Sequence, residues 1–466
     1  MLALAGSGGL AIISVEAAPV PRADSSPAII HQAAMGNYGS DYVRLGDLDG
    51  DGMLDVLCIQ AYAPGHPAGS QGGEHVSEIT CLTAINLDGK ILWQIGKPDL
   101  KNLYCGGDHP VQIYDIDRDG SNEVIYIPNR DNVLHIVEGK TGKLRKKVQL
   151  AGGHDSILFA DFAGGGYAQD LLVKDRYSSV WVYDKDFRLL WQKQDCNPGH
   201  YPMEYDVNGD GRVELVCGYT LYARDGSVLW SRPELGGHSD AVYVEDMDGD
   251  GKAEIAIAAS RDKPGEQATL LDAEGRVLWR KFSDHCQFAL IGRFRLDLPG
   301  KQVCFVDRQI YRYPPEQHTA EVSLYTKAGE RLWSRQLKTG DTSGALRIER
   351  WTADANEHVL AIHSQALAPP CLLDGFGRTI AVLPFPEAIE RPGGGAGGKD
   401  IYGAYMVHHI DCYGDAREEI IMVNHKKLYI WTNAAGGDAT PRPAWRKDLR
   451  RQLPRMYNNT VYTGRG

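Results

Sequence analysis

Short apolar runs recur along this chain, each long enough for a strand and too short for a buried helix. Residues 56–59, 124–127, 215–217 and 255–257 are four of them. Each follows a polar segment of Asp, Asn and Gly, and a strand-like stretch precedes that segment, as in residues 109–115. Apolar runs bounded by turn residues predict β-strands. A second pattern lies between the first: a turn with Asp or Gly, then an apolar pair and Trp. It ends at Trp93, Trp191, Trp230, Trp279 and Trp333, and predicts hairpins. Two strands around the polar segment and two around the turn make a four-stranded unit. Such units in tandem are propeller blades. The tryptophans are expected to pack blade against blade.

The polar segments carry their own chemistry. Asp47, Asp49 and Asp51 are followed by Gly52 and Asp55; Asp115, Asp117 and Asp119 by Gly120 and Glu123. Asp206, Asn208 and Asp210 precede Gly211 and Glu214, and Asp246, Asp248 and Asp250 precede Gly251 and Glu254. Calcium takes several oxygen ligands, and a tight Gly turn lets short side chains converge on one point. The flanks are strands and the closing acid comes at position 9, so these are not EF-hands, whose loops lie between helices and close with a Glu at position 12. We therefore expect calcium at these sixteen residues, as several ions that mainly tie the turns. Asp411, Asp415 and Glu419 form a weakened fifth copy, with Ala416 in place of the Gly. Residues 161–170, 292–303 and 349–360 stand where eroded copies fall. The repeat predicts an all-β chain: an eight-bladed propeller of four antiparallel strands per blade, or seven blades if the unit around Trp351 is an insertion.

Composition narrows the partners. The formal charge of −11 argues against nucleic acid. Nine cysteines without a CxxC pair argue against a disulfide framework. Residues 1–26 read as a signal-like or disordered leader and 27–466 as a single propeller domain. No stretch is long enough to span a membrane. The expectation is a secreted or periplasmic monomer.

If strand A is innermost, the start of A and the end of B share one face, and the acidic loops lie on the other. His109, His154, His200, His238 and His285 fall at starts of A; Arg130, Arg176, Arg261 and Arg308 fall at ends of B, with His425 in the last unit. Any one of these histidines could simply bond to neighbouring backbone, and any one arginine could be a solvated cation. Together they predict a cationic face, bordered by the long loops 61–76, 311–321, 364–370 and 384–399. No nucleophile elbow, HExxH or P-loop occurs. A cationic, His-lined face suits an acidic polysaccharide. β-Elimination at a 4-linked uronide needs a cation on the carboxylate, a base for the carbon-5 proton and an acid for the leaving oxygen. Arg suits the first role, and His or Tyr the others.

Residues 38–52, 87–93, 109–120 and 237–246 resemble the family-11 rhamnogalacturonan lyases, and residues 455–462 resemble their closing segment. The resemblance implies an eight-bladed, calcium-bearing lyase acting on rhamnogalacturonan-like polymers, with the closing segment at the cleft. The family's N-terminal β-sandwich has no counterpart in this sequence. Ulvan or rhamnosyl-glucuronate lyases on the same fold are the alternative. A non-catalytic carbohydrate-binding or adhesion propeller is the rival class, and a quinoprotein dehydrogenase a more distant one. Candidate bases are His109 first, then His200 and His238, with Tyr457 or Tyr462 as rivals. Arg130, Arg176, Arg261, Arg308, His154 and His285 are expected to bind substrate.

Overall fold

The computed structural model describes residues 25–40, 42–62, 78–100, 109–175, 177–260, 264–314, 317–337, 342–352, 354–363, 369–386, 405–413, 415, 417–435 and 461–462. Eight antiparallel sheets follow one another around a ring, seven of four strands in the order A-B-C-D and the eighth of five. The A strands of blades 1 to 8 are Val43–Gly46, Val111–Tyr114, Ser156–Ala160, Met203–Tyr205, His238–Glu245, Cys286–Gly292, Thr342–Ile348 and Met406–Ile410. The unit around Trp351 is a full blade, the seventh, so the seven-blade alternative is set aside. The leader lies outside the described residues. Among the described residues no helix is long and apolar enough to cross a membrane.

Sandwiching between neighbours explains the apolar runs. Strands Ser156–Ala160 and Asp170–Lys174 are buried at every position, because both faces of the sheet meet another blade. The outer strand Leu144–Gln149 is almost wholly exposed. Each predicted Trp sits on an outer strand and donates its indole N–H to the C–D turn of the next blade. Trp93 reaches the Gly139 carbonyl (2.5 Å), Trp191 that of Arg224 (2.8 Å), Trp230 that of Ala273 (2.9 Å), Trp279 that of Lys327 (2.8 Å) and Trp333 that of Gly375 (2.9 Å). These turns need glycine twice over. Gly275 has φ +74, and a Cβ there would meet the Trp230 ring at 2.6 Å.

The ring closes with a borrowed strand. Pro27–Ala34 pairs antiparallel with Lys427–Asn433 and becomes the outer strand of blade 8. His31 Nε2 lies 2.7 Å from the Leu87 carbonyl in blade 1. Just before this strand, Ser25 Oγ lies 2.8 Å from the Trp351 indole nitrogen in blade 7. At the other side of blade 8, Val461–Tyr462 pairs with Met406–Ile410.

Candidate active site

The face that carries the A–B loops is built from carboxylates held by their own turns. Asp47 Oδ1 accepts from Gly50 N (2.8 Å) and Oδ2 from Gly52 N (3.0 Å), while Asp55 Oδ2 accepts from Leu48 N (2.8 Å). Blade 5 repeats the arrangement through Asp246, which takes Gly249 N and Gly251 N, and Glu254, which takes Met247 N. The repeated sequence is thus a turn in which positions 1 and 9 satisfy backbone N–H groups. Burial pushes the Asp55 and Glu123 carboxyls up to about 7. Three of the four intact loops gather acidic side chains closely enough to hold a metal ion: Asp47, Asp49 and Asp55; Asp115, Asp117 and Glu123; Asp246, Asp248 and Asp250. Hard carboxylate oxygens suit calcium, and the first loop fits it: no ion pair reaches Asp49, Asp51 or Asp55 among the described residues. In the Asp206 loop the Asn208 amide instead donates to Glu214 Oε1 (3.2 Å).

The opposite face carries a cluster of a different kind. Asp240, buried on the A strand of blade 5, is the convergence point of three consecutive blades. His238 Nε2 lies 3.0 Å and His200 Nε2 3.3 Å from its Oδ1, and His285 Nε2 lies 3.0 Å from its Oδ2. Burial alone would raise this carboxyl; hydrogen bonds from His200, His238 and His285 outweigh it and hold the group well below the usual carboxylate range. Local backbone brings the rings together. His200 N donates to the Ser239 carbonyl (3.0 Å), and the preceding Gly199, at φ +69, passes so close to Ser239 that a Cβ would collide.

Two exposed tyrosines border the cluster. Tyr177 Oη lies 3.2 Å from His200 Nε2, and its ring tilts over His238 with centroids 4.7 Å apart. Tyr311 Oη lies 3.3 Å from His285 Nδ1. His238 is the most open of the three histidines, with 32% of its side chain exposed. Its Nδ1 has no protein partner among the described residues. Next to His285, buried Asp284 accepts from Arg312 Nε (3.1 Å) and Tyr311 N (2.7 Å). Arg312 lies between the rings of Phe282 and Tyr313 and lines a cleft of about 550 Å³ together with Asp307, Gln309, Thr319 and Glu321. Burial pushes the Asp307 carboxyl up to about 6.

The other sequence candidates are dispersed. His109 is 1% exposed and stands edge-on to Tyr42, with ring centroids 4.0 Å apart. His154 Nδ1 lies 3.5 Å from Asp175. Arg130 is exposed after the B strand of blade 2. Arg308 turns to Gln287 Oε1 (2.7 Å) on the A strand of its own blade. His425 is buried in the last blade. Arg176, Arg261 and Tyr457, and the side chain of Tyr462, lie outside the described residues. The structure therefore brings together His200, His238 and His285 and not His109. Sequence reasoning missed Asp240, Tyr177, Tyr311 and Arg312. A weak signal existed for Asp240 in the spacing His238-Ser-Asp240 at a strand start.

Residues 20–134 match the C-terminal domain of rhamnogalacturonan lyase family 11. The rhamnogalacturonan exolyase YesX of Bacillus subtilis (strain 168) is 21% identical over 415 residues, covering 72% of this chain and 66% of that protein. The rhamnogalacturonan endolyase YesW of the same organism is 22% identical over 358 residues, covering 64% and 54%. The chain thus spans a little under two thirds of one curated relative and about half of the other. Among solved structures, the rhamnogalacturonan lyase PL11 of Bacillus licheniformis superposes with a TM-score of 0.60 at 18% identity, covering 95% of this chain and 78% of that one. In sequence and in fold the chain is similar to the family-11 rhamnogalacturonan lyases.

Proposed function

We propose that the chain is a polysaccharide lyase that cleaves a uronic-acid-containing, rhamnogalacturonan-like polymer by β-elimination at the Asp240 cluster. The observation that carries this is the convergence of His200, His238 and His285 on one buried carboxylate, with two tyrosine hydroxyls at its border. The similarity to rhamnogalacturonan lyases supports the same reading.

The chemistry follows from the geometry. Asp240 accepts from His238 Nε2, which fixes the ring and leaves Nδ1 as a base for the carbon-5 proton. Tyr177 Oη, in contact with His200, supplies the proton for the leaving oxygen. Arg312, in the lining of the cleft beside His285, pairs with a substrate carboxylate. A second reading rests on the donor set itself: His200, His238 and Asp240 are close enough to hold a divalent cation. Such an ion would neutralise the uronate carboxylate, and the proton roles would pass to Tyr177 and Tyr311. Inactivation by a chelator at an unchanged melting temperature, with recovery on added divalent ion, selects the second reading; activity retained in chelator selects the first.

The protein is proposed to act outside the cytoplasm as a monomer, in keeping with the signal-like run before residue 27. Calcium in the Asp47 loop is proposed as a structural tie. Incubation with rhamnogalacturonan and other uronide polymers tests the activity: a lyase generates unsaturated, ultraviolet-absorbing ends, and Asp240→Asn loses them. Retention of polymer without any such product, on every uronide tried, would favour the non-catalytic binding propeller instead.

A further inference from the structure

We infer that two of the four intact acidic loops carry a built-in cation from this chain in place of calcium: Arg145 in blade 2 and Lys327 at blade 5. In blade 2, Arg145 Nη1 lies 2.5 Å from Glu123 Oε1 and Nη2 lies 2.8 Å from Asp117 Oδ2. At blade 5, Lys327 Nζ lies 2.6 Å from Asp248 Oδ2 and 2.6 Å from Glu254 Oε1. Both cations engage the same two loop positions, 3 and 9, although they come from unrelated places. Arg145 belongs to the outer strand of its own blade. Lys327 belongs to the C–D turn of the next blade, so the agreement does not descend from a shared motif.

The position-9 acids show why a cation is needed. Glu123 has 2% and Glu254 4% of its side chain exposed, so each would otherwise be a nearly buried carboxylate crowded by its own loop's aspartates. A cation in contact with these acids offsets that cost, and a divalent ion is one source among others. An ammonium or guanidinium in direct contact with positions 3 and 9 competes with a calcium ion for carboxylate oxygens of the loop.

The tryptophan contacts explain which loop is filled from the neighbouring blade. Lys327 is the residue whose carbonyl accepts the Trp279 indole, so blade 5 fixes the turn that returns a lysine to its own loop. The residue in the same relation to blade 1 is Gly139, and to blade 4 Ala273. Neither has a side chain that reaches a loop. At blade 5 the identity of one turn residue thus supplies the loop with a cation of the protein's own.

Metal counting on the full chain tests this. After purification in calcium and dialysis, Asp117→Ala and Asp248→Ala, which remove the position-3 oxygen, are expected to leave the number of bound calcium ions unchanged by elemental analysis. Loss of one ion in either variant would overturn the inference for that loop. Asp49→Ala is the control: its loss of an ion reports on the first loop, and a protein without any calcium would count against that proposed tie alone. Conversely, Arg145→Ala and Lys327→Ala are expected to melt below wild type in chelator, to recover with calcium, and to bind one ion more. A variant that melts like wild type in chelator, or binds no further ion, shows that the side chain was not standing in for one. Because Asp117→Ala and Asp248→Ala keep Arg145 and Lys327 in place, they decide the matter even if Arg145→Ala or Lys327→Ala fails to fold.

Discussion

On one face of the ring Asp47 receives the N–H groups of Gly50 and Gly52 from its own loop; on the other, Asp240 receives imidazoles from three blades. Both carboxylates are buried, yet their partners differ in reach. The loop acids close local turns, and each matters to one blade. Asp240 is satisfied only when blades 4, 5 and 6 are in register, and its partners include a histidine open to solvent. The difference separates a carboxylate that shapes backbone from one that orients titratable rings. Removing the first is expected to cost stability, and removing a partner of the second is expected to cost turnover.

The sharpest break would come from His238→Ala. Loss of a positioned base or metal ligand is expected to lower turnover by roughly 10²–10⁴-fold, with the melting temperature close to wild type; wild-type turnover would move the chemistry away from Asp240. Next in size is Lys174→Ala. Lys174 and Asp155 form a fully buried ion pair on the histidine face. Removing the cation beside buried Asp155 is expected to destabilise the fold by about 3–5 kcal/mol, read by urea unfolding. That outcome would show that burial rather than face decides what a carboxylate does.

Smaller effects lie in the loops and the strands. Asp47→Ala strands two backbone N–H groups and is expected to cost about 1–3 kcal/mol without altering turnover; a drop in turnover at unchanged stability would erase the distinction between the faces. His358, at the start of the B strand of blade 7, and His408, within the A strand of blade 8, are both buried. Burial lowers His358 to about 4 and His408 to about 3, so both are neutral when folded. Unfolded histidine titrates near 6.5, and below that the unfolded chain binds more protons. Their stabilisation is complete above about pH 6.5 and declines as pH falls toward the folded values, by about 1 kcal/mol each at about pH 5.5. Glu419, pushed up to about 7 by burial, runs the other way, since raised carboxyls favour the fold at lower pH. The check is therefore a difference profile against His408→Leu, and parallel curves for the two proteins would refute it.

What the sequence made legible follows from distance along the chain. The A–B loop lies within nine residues from Asp47 to Asp55, and the turn-and-tryptophan hairpin is equally local, so both could be read directly and counted into eight blades. His200, His238 and His285 were legible as strand starts, but not as one cluster, since the register of three blades brings them to Asp240. Tyr177 and Tyr311 follow B strands without a repeated pattern, and nothing local marks them. Lys327 and Asp248 are 79 residues apart, so the Asp246 loop reads as a metal site by sequence while its cation sits in another blade. His109 ranked first because it precedes an intact loop and follows Gly107; packing against Tyr42 places it beneath the surface instead.

The borrowed strand gives the ring a mechanical seam. Seven blades draw all four strands from consecutive chain, whereas blade 8 depends on Pro27–Ala34 fitting against Lys427–Asn433. This strand acts as a clasp, with blade 7 at one end through Ser25 and blade 1 on its flank through His31. Hoop tension in the closed ring passes through it. Once peeled away, it leaves the row of hydrogen-bonding groups on Lys427–Asn433 open, and an open strand edge pairs with whatever strand is offered.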